Sequence, residues 1–99
     1  MPPWKDGTTL YLVFDERMDS RIALEAEKMV RDVFTPDIQN VEIDCGGMEY
    51  IASSGLKLLM TLYKNVGSTG KVTLKNVRDY VTEILEMTGF SDILDMDPQ

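Results

Sequence analysis

Two adjacent serines, Ser53 and Ser54, followed by Gly55, are the residues of this chain best placed to take part in chemistry. They stand where an extended loop, Met48–Ala52, gives way to a helical pattern of Leu56, Leu59, Met60, Tyr63 and Val66. A serine becomes a nucleophile only when a neighbouring base takes its proton. The 99 residues include no histidine, which removes every Ser-His or Cys-His pairing and every His-ligated metal site. The G-x-S-x-G elbow is absent as well. Ser53 is therefore read as a hydroxyl acted on by other proteins, as a helix cap, or as both. The readings are compatible, because a helix N-terminus favours an anion by about 0.3–1 kcal/mol at an exposed site. A phosphate there adds about −1.5 to −2 charge without melting the helix. Ser54 is read as a capping or supporting hydroxyl. No catalytic residue, metal ligand or cofactor is expected.

Other candidates fade on inspection. Gly67-Ser68-Thr69-Gly70-Lys71-Val72 resembles a phosphate loop, but Asn65 stands where the first glycine belongs and Val72 where the metal-binding hydroxyl belongs. Asp15, Glu16, Asp19, Asp44 and Glu49 read first as a solvated loop face. Their functional alternative is an acidic rim that repels a phosphoserine and sharpens its signal. Met48 and Tyr50 are read equally as docking residues or as packing. Most other methionines, including Met29, Met60 and Met87, read as core filler.

Composition narrows the class of partner. Seventeen acidic residues against ten basic give a net charge of −7, which opposes nonspecific nucleic-acid binding and docking on anionic membranes. The single cysteine, Cys45, allows no internal disulfide and reads as a buried structural thiol. No apolar run is long enough to span a bilayer, and Met1–Asp6 lacks a signal-peptide core. The expectation is a cytoplasmic monomer with no nucleic-acid or membrane partner.

The elements that must position Ser53 follow from periodicity. Residues 8–14 read as a strand, with Leu10, Leu12 and Phe14 on one face and Tyr11 and Val13 on the other. Apolar residues on both faces predict a central strand covered on both sides. A short strand at Trp4 is expected to pair with it antiparallel. Asp19 or Ser20 caps a helix carrying Ile22, Ala26, Met29, Val30 and Val33 inward, stopped by Pro36. Val41, Ile43 and Cys45 form a second firm strand. Lys71–Lys75 form a third. Asn76 is expected to cap a last helix with Val77, Val81, Ile84, Leu85 and Thr88 inside, ended by Gly89. Phe90, Ile93 and Leu94 should fold back onto the core. Alternating strands and helices imply crossover connections and a mainly parallel sheet. The loops leaving strand carboxyl ends then share one edge, which makes Asp19 and Ser53 neighbours. Residues 1–99 are expected to form one α/β domain, with a small mixed, mainly parallel sheet of four to five strands and helices packed against it.

The residues Ile51-Ala52-Ser53-Ser54-Gly55-Leu56, with Lys75-Asn76-Val77 and Leu85-Glu86-Met87-Thr88-Gly89-Phe90, resemble the STAS domain. They are most similar to the small bacterial anti-sigma-factor antagonists, across roughly residues 8–95. The resemblance implies that Ser53 is phosphorylated by an anti-sigma factor with serine kinase activity and reset by a phosphatase. It implies that the unphosphorylated form binds that anti-sigma factor and frees the sigma factor. It also matches Asp19, in Arg17-Met18-Asp19, with the family's aspartate near the phosphosite. The expected partner surface is Asp19, Ser53, Ser54, Gly55, Leu56 and Lys57. Two positions depart from the family pattern: Ala52 replaces the aspartate before the serine, and Lys57 replaces the second glycine of S-G-L-G. The expected function is a phosphorylation-controlled, non-enzymatic switch acting on sigma-dependent transcription. The alternatives are a constitutive interaction module no longer phosphoregulated and, from another class, a small hydrolase or nucleotide-binding protein.

Overall fold

The computed structural model describes residues 3–14, 17–67 and 69–98. The first strand, β1 (Trp4–Asp6), runs antiparallel to β2 (Thr9–Val13), and Trp4 stacks on Tyr11 with ring centroids 5.1 Å apart. A two-residue strand, β3 (Arg17–Met18), leads through Asp19 into α1 (Ser20–Val33). Then follow β4 (Asn40–Asp44), a second two-residue strand β5 (Tyr50–Ile51) and α2 (Ser53–Val66). The chain ends with β6 (Lys71–Val77), α3 (Asp79–Met87), a 3₁₀ turn at Phe90–Asp92 and β7 (Asp95–Pro98). The main sheet has the order β1-β2-β4-β6-β7, with every pair parallel except β1·β2. The expected α/β class and the mixed, mainly parallel sheet stand.

Alternation along the strands decides where the core lies. Leu10 and Leu12, Val41 and Ile43, Val72 and Leu74 point to one face and are buried. Ala23 and Val30 from α1, Leu58, Leu59 and Leu62 from α2, and Val81 and Leu85 from α3 pack into the same core. Burial of each of these Val, Leu and Ile side chains contributes about 1.5–3 kcal/mol. The opposite face is not covered as expected. Tyr11 and Val13 are only half-buried there, and the face carries the ion pairs Lys71–Asp95 (3.5 Å), Lys75–Glu42 (3.7 Å) and Lys75–Asp97 (3.1 Å). The apolar pair on β2 marks half-covered strand positions, not a second layer of helices.

Several local expectations change. The inner stripe of α2 is Gly55, Leu58, Leu59, Leu62 and Val66, while Leu56, Met60 and Tyr63 are half-buried at its margin. Met29 and Met87 are exposed, at 40% and 86%, so neither is core filler. Met48 is buried and packs, whereas Tyr50 is exposed at 37%. Asn76 does not cap α3. It belongs to β6 with φ 59°, beside a register shift between Leu74 and Val77, and Arg78 is the cap residue. An Asn tolerates this left-handed conformation better than most residues. The tail does fold back as expected: Leu94 is buried, and Phe90 and Ile93 pack against the core. It then adds β7, which the acidic, methionine-containing sequence Asp95-Met96-Asp97 does not announce.

Candidate functional site

The paired two-residue strands build the site. Arg17 and Met18 of β3 run parallel to Tyr50 and Ile51 of β5, and the Ala52 amide donates to the Met18 carbonyl at 2.9 Å. Met18 and Ile51 are buried beneath the pair. Asp19 and Ala52 are the next residues of the two strands, so α1 and α2 start side by side. The expected meeting of the Asp19 and Ser53 loops is thus made by backbone pairing. Ser54 Oγ lies 3.1 Å from Ser20 Oγ, a hydroxyl bridge between the first turns of the two helices. Ser54 is a supporting hydroxyl, one of the two roles expected for it.

The two helix starts differ. Asp19 caps α1, its Oδ1 accepting from the Ile22 amide at 3.1 Å. At α2 the cap residue is Ala52, with φ −86°, ψ 171° and no side-chain bond. Ser53 is the first helical residue and is exposed. This corrects the capping reading of Ser53: the cap position is Ala52, and Ser53 is an exposed residue of the first turn. The first turn of α2 contains no acidic residue. Gly55 is buried, Leu56 half-buried and Lys57 exposed. Ser20, Ala23, Leu24 and Glu27 of α1 face Ser54 and Lys57 of α2 across a hollow of about 270 Å³. Leu24 is 54% exposed beside this hollow. Ser20 was expected only as a cap and Leu24 was not expected at the site; the signal available was a leucine standing off the inward stripe of α1.

The expected acidic rim is described only at Asp19, Asp44 and Glu49. Asp15 and Glu16 lie outside the described residues. Asp44 Oδ1 accepts from the Gly46 amide (2.9 Å) and from Asn76 Nδ2 (3.3 Å), so it serves the turn after β4. Glu49 is exposed. Cations flank the serine as well: Arg17 lies over the Tyr50 ring at 4.6 Å, and Lys57 stands one turn along α2. Cys45 is buried, and burial first, then the Asp44 charge, push its thiol from 9.0 to about 12. Such a thiol packs and does not react. Among the described residues no group of three or more His, Cys, Asp or Glu is placed to hold a metal ion, and no helix is long and apolar enough to cross a membrane.

A mixed, mainly parallel sheet with helices on one face, a paired-loop edge and an exposed serine opening the second helix define a small α/β domain. The chain belongs to the STAS domain family, whose model matches residues 5–99. It is 27% identical over 79 residues to the candidate anti-sigma factor antagonist BtrV of Bordetella bronchiseptica. That match covers 79% of this chain and 61% of the Bordetella protein, so the chain spans less than two thirds of that relative's length. Among solved structures, a candidate anti-sigma factor antagonist from Thermotoga maritima superposes with a TM-score of 0.82 at 19% identity, covering 96% of this chain and 83% of that one. The anti-sigma factor antagonist SpoIIAA in its unphosphorylated form gives 0.76 at 12% identity, covering 97% and 84%. The Bacillus cell fate determinant SpoIIAA in its phosphorylated form gives 0.71 at 11% identity, covering 95% and 86%. At these identities the superpositions establish the shared fold.

Proposed function

We propose that this STAS domain is an anti-sigma factor antagonist that works by binding and is switched by phosphorylation of Ser53. The observation that carries the reading is the exposed Ser53 at the first position of α2, one residue past the cap position Ala52, beside the start of α1. The family membership and the names of its relatives support the partner class. Asp19, Ser53, Ser54, Gly55, Leu56 and Lys57 form the docking face. Within it Gly55 sets the close packing of α2, and Asp19 sets the start of α1. The partner is an anti-sigma factor with serine kinase activity, met in the cytoplasm. It transfers the γ-phosphoryl group of ATP to Ser53 Oγ; the hydroxyl loses its proton and ADP leaves. The added charge of about −1.5 to −2 lies at a helix N-terminus, where the dipole tolerates it. The domain stays folded while its docking face changes sign locally, and the complex is released. A phosphatase hydrolyses the phosphoserine and restores the face.

Incubation with the cognate kinase and ATP, followed by intact-mass analysis, tests this. One phosphate on the wild type and none on Ser53→Ala is expected. No phosphate on the wild type, or the same addition on Ser53→Ala, sinks the assignment. A second reading, a constitutive module, is favoured by Ala52 and Lys57, which replace the family's aspartate and glycine at the two borders of the serine. It predicts that Ser53→Asp binds the partner as tightly as the wild type, whereas the switch predicts weaker binding.

A further inference from the structure

We propose that Lys57 is the in-chain counter-ion of the phosphate on Ser53, so that modification both adds an anion and withdraws the free cation of the docking face. The inference rests on the phosphorylation of Ser53 proposed above. Ser53 and Lys57 are four residues apart within α2 and both are exposed. Residues at this spacing are neighbours on the helix surface, and an anion N-terminal to a lysine is the better orientation of such a pair.

Lys57 has no competing partner among the described residues. Across the hollow from it, Glu27 is engaged by Arg31 on its own helix at 3.0 Å. Asp19 has one carboxylate oxygen on the Ile22 amide, at the start of α1. Arg17, the nearest cation on the paired strands, is stacked on Tyr50. Among the described residues Lys57 makes no ion pair, while Lys5, Arg21, Arg31 and Lys71 each have one and Lys75 has two. Among the described residues, Lys57 of the unmodified protein is thus an unpaired cation one turn from the serine. When Ser53 carries a phosphate, the closest acid to Lys57 along the helix is that phosphate. The phosphate is drawn along the surface of α2, and the cation that an acidic residue of the partner would meet is no longer available. A glycine at position 57 offers no such response.

The test titrates the phosphate itself. Phosphoserine is installed at position 53 of the full chain by genetic-code expansion, which makes the result independent of any kinase. The midpoint of the second phosphate ionisation is then followed by ³¹P NMR in the wild type, Lys57→Gln, Lys57→Arg and Lys64→Gln. Lys64 is an exposed lysine two turns further along the same helix. A lysine pairing with the dianion lowers the midpoint. The expected fall relative to Lys57→Gln is about 0.15–0.4 pH unit, the equivalent of about 0.2–0.5 kcal/mol at 1.36 kcal/mol per unit. Lys57→Arg keeps the low midpoint, Lys64→Gln leaves it in place, and 1 M salt shrinks the difference. Equal midpoints in the wild type and Lys57→Gln, or an equal rise in Lys64→Gln, overturn the pairing. Failure of the kinase reaction with a depressed midpoint would instead reject the proposed switch and leave the pairing standing.

Discussion

Gly55 makes the closest packing beneath the candidate site. A Cβ there would lie 2.7 Å from Ile51 Cγ1 and 3.3 Å from Met18 Cβ, the two side chains under the β3–β5 pair. Overpacking costs about 1–3 kcal/mol, and alanine returns about 1 kcal/mol of helix propensity. Gly55→Ala is therefore expected to lose about 1 kcal/mol net in urea denaturation. Gly70→Ala should lose more, because its Cβ would meet the Val66 and Gln39 carbonyl oxygens at 2.6 and 2.7 Å, and backbone cannot swing aside. Gly47→Ala, with nothing within 4 Å, is the control for both. Cys45 gives a pH signature. Its thiol is held up to about 12 from 9.0, mainly by burial. Below pH 9 the thiol is protonated whether the chain is folded or not, and its contribution is fully present. Between pH 9 and about 12 the unfolded chain sheds the proton while the folded chain keeps it, so stability falls, by up to about 4 kcal/mol. The alkaline decline of the denaturation midpoint should be shallower in Cys45→Ala than in the wild type.

At the scale of elements, the unequal helix starts are the feature open to test. Asp19→Ala removes the side-chain acceptor of α1 and is expected to cost about 0.5–2 kcal/mol. Ala52→Asp is the converse. The backbone at Ala52 already has cap geometry with no side-chain acceptor, so an aspartate there should stabilise the fold by about 1 kcal/mol in thermal or urea denaturation. No gain would show that the first amides of α2 cannot be reached from position 52. The edge strand β7 is held partly by Lys71–Asp95 and Lys75–Asp97, all at exposed side chains. Exposed pairs contribute little each and weaken with salt. Amide exchange in Asp95–Asp97 should therefore quicken with ionic strength more than exchange in β4, which lies between two parallel neighbours.

At the scale of the molecule, one buried sheet face receives all three helices, and the core cluster runs without a break from Leu10 to Leu94. Such a domain should unfold in one step. Trp4 reports from the edge strand β1, stacked on Tyr11, whereas far-UV circular dichroism reports mainly from the helices. The two denaturation curves are expected to coincide. An earlier transition in fluorescence would show that β1 opens before the core. The net charge of −7 sets a further expectation: capture of the partner should slow as salt rises if the partner face is basic.

Periodicity was enough for the firm elements. Leu10, Leu12 and Phe14, then Val41 and Ile43, then Val72 and Leu74 alternate with the two-residue period of a strand, but Tyr11 and Val13 pointed to cover on both faces of β2, and only the structure shows burial on one. Strand–helix alternation then fixed the parallel order, and with it the shared edge for Asp19 and Ser53. Short or weakly patterned pieces were not legible. The strands β3 and β5 have two residues each, too few to show a period, and exist because each pairs with the other. β7 exists because β6 offers an unpaired edge. Asn76 was read as a cap from its residue type, but tertiary packing placed it in a strand at positive φ. The absence of histidine, the serine pair and the substitutions Ala52 and Lys57 were all determined by sequence, because chemistry depends on residue type. Only the tertiary structure decided that Ser53 is the first residue of its helix and not the cap. That depends on where the Met18 carbonyl holds the Ala52 amide, a contact across 34 residues that no local pattern encodes.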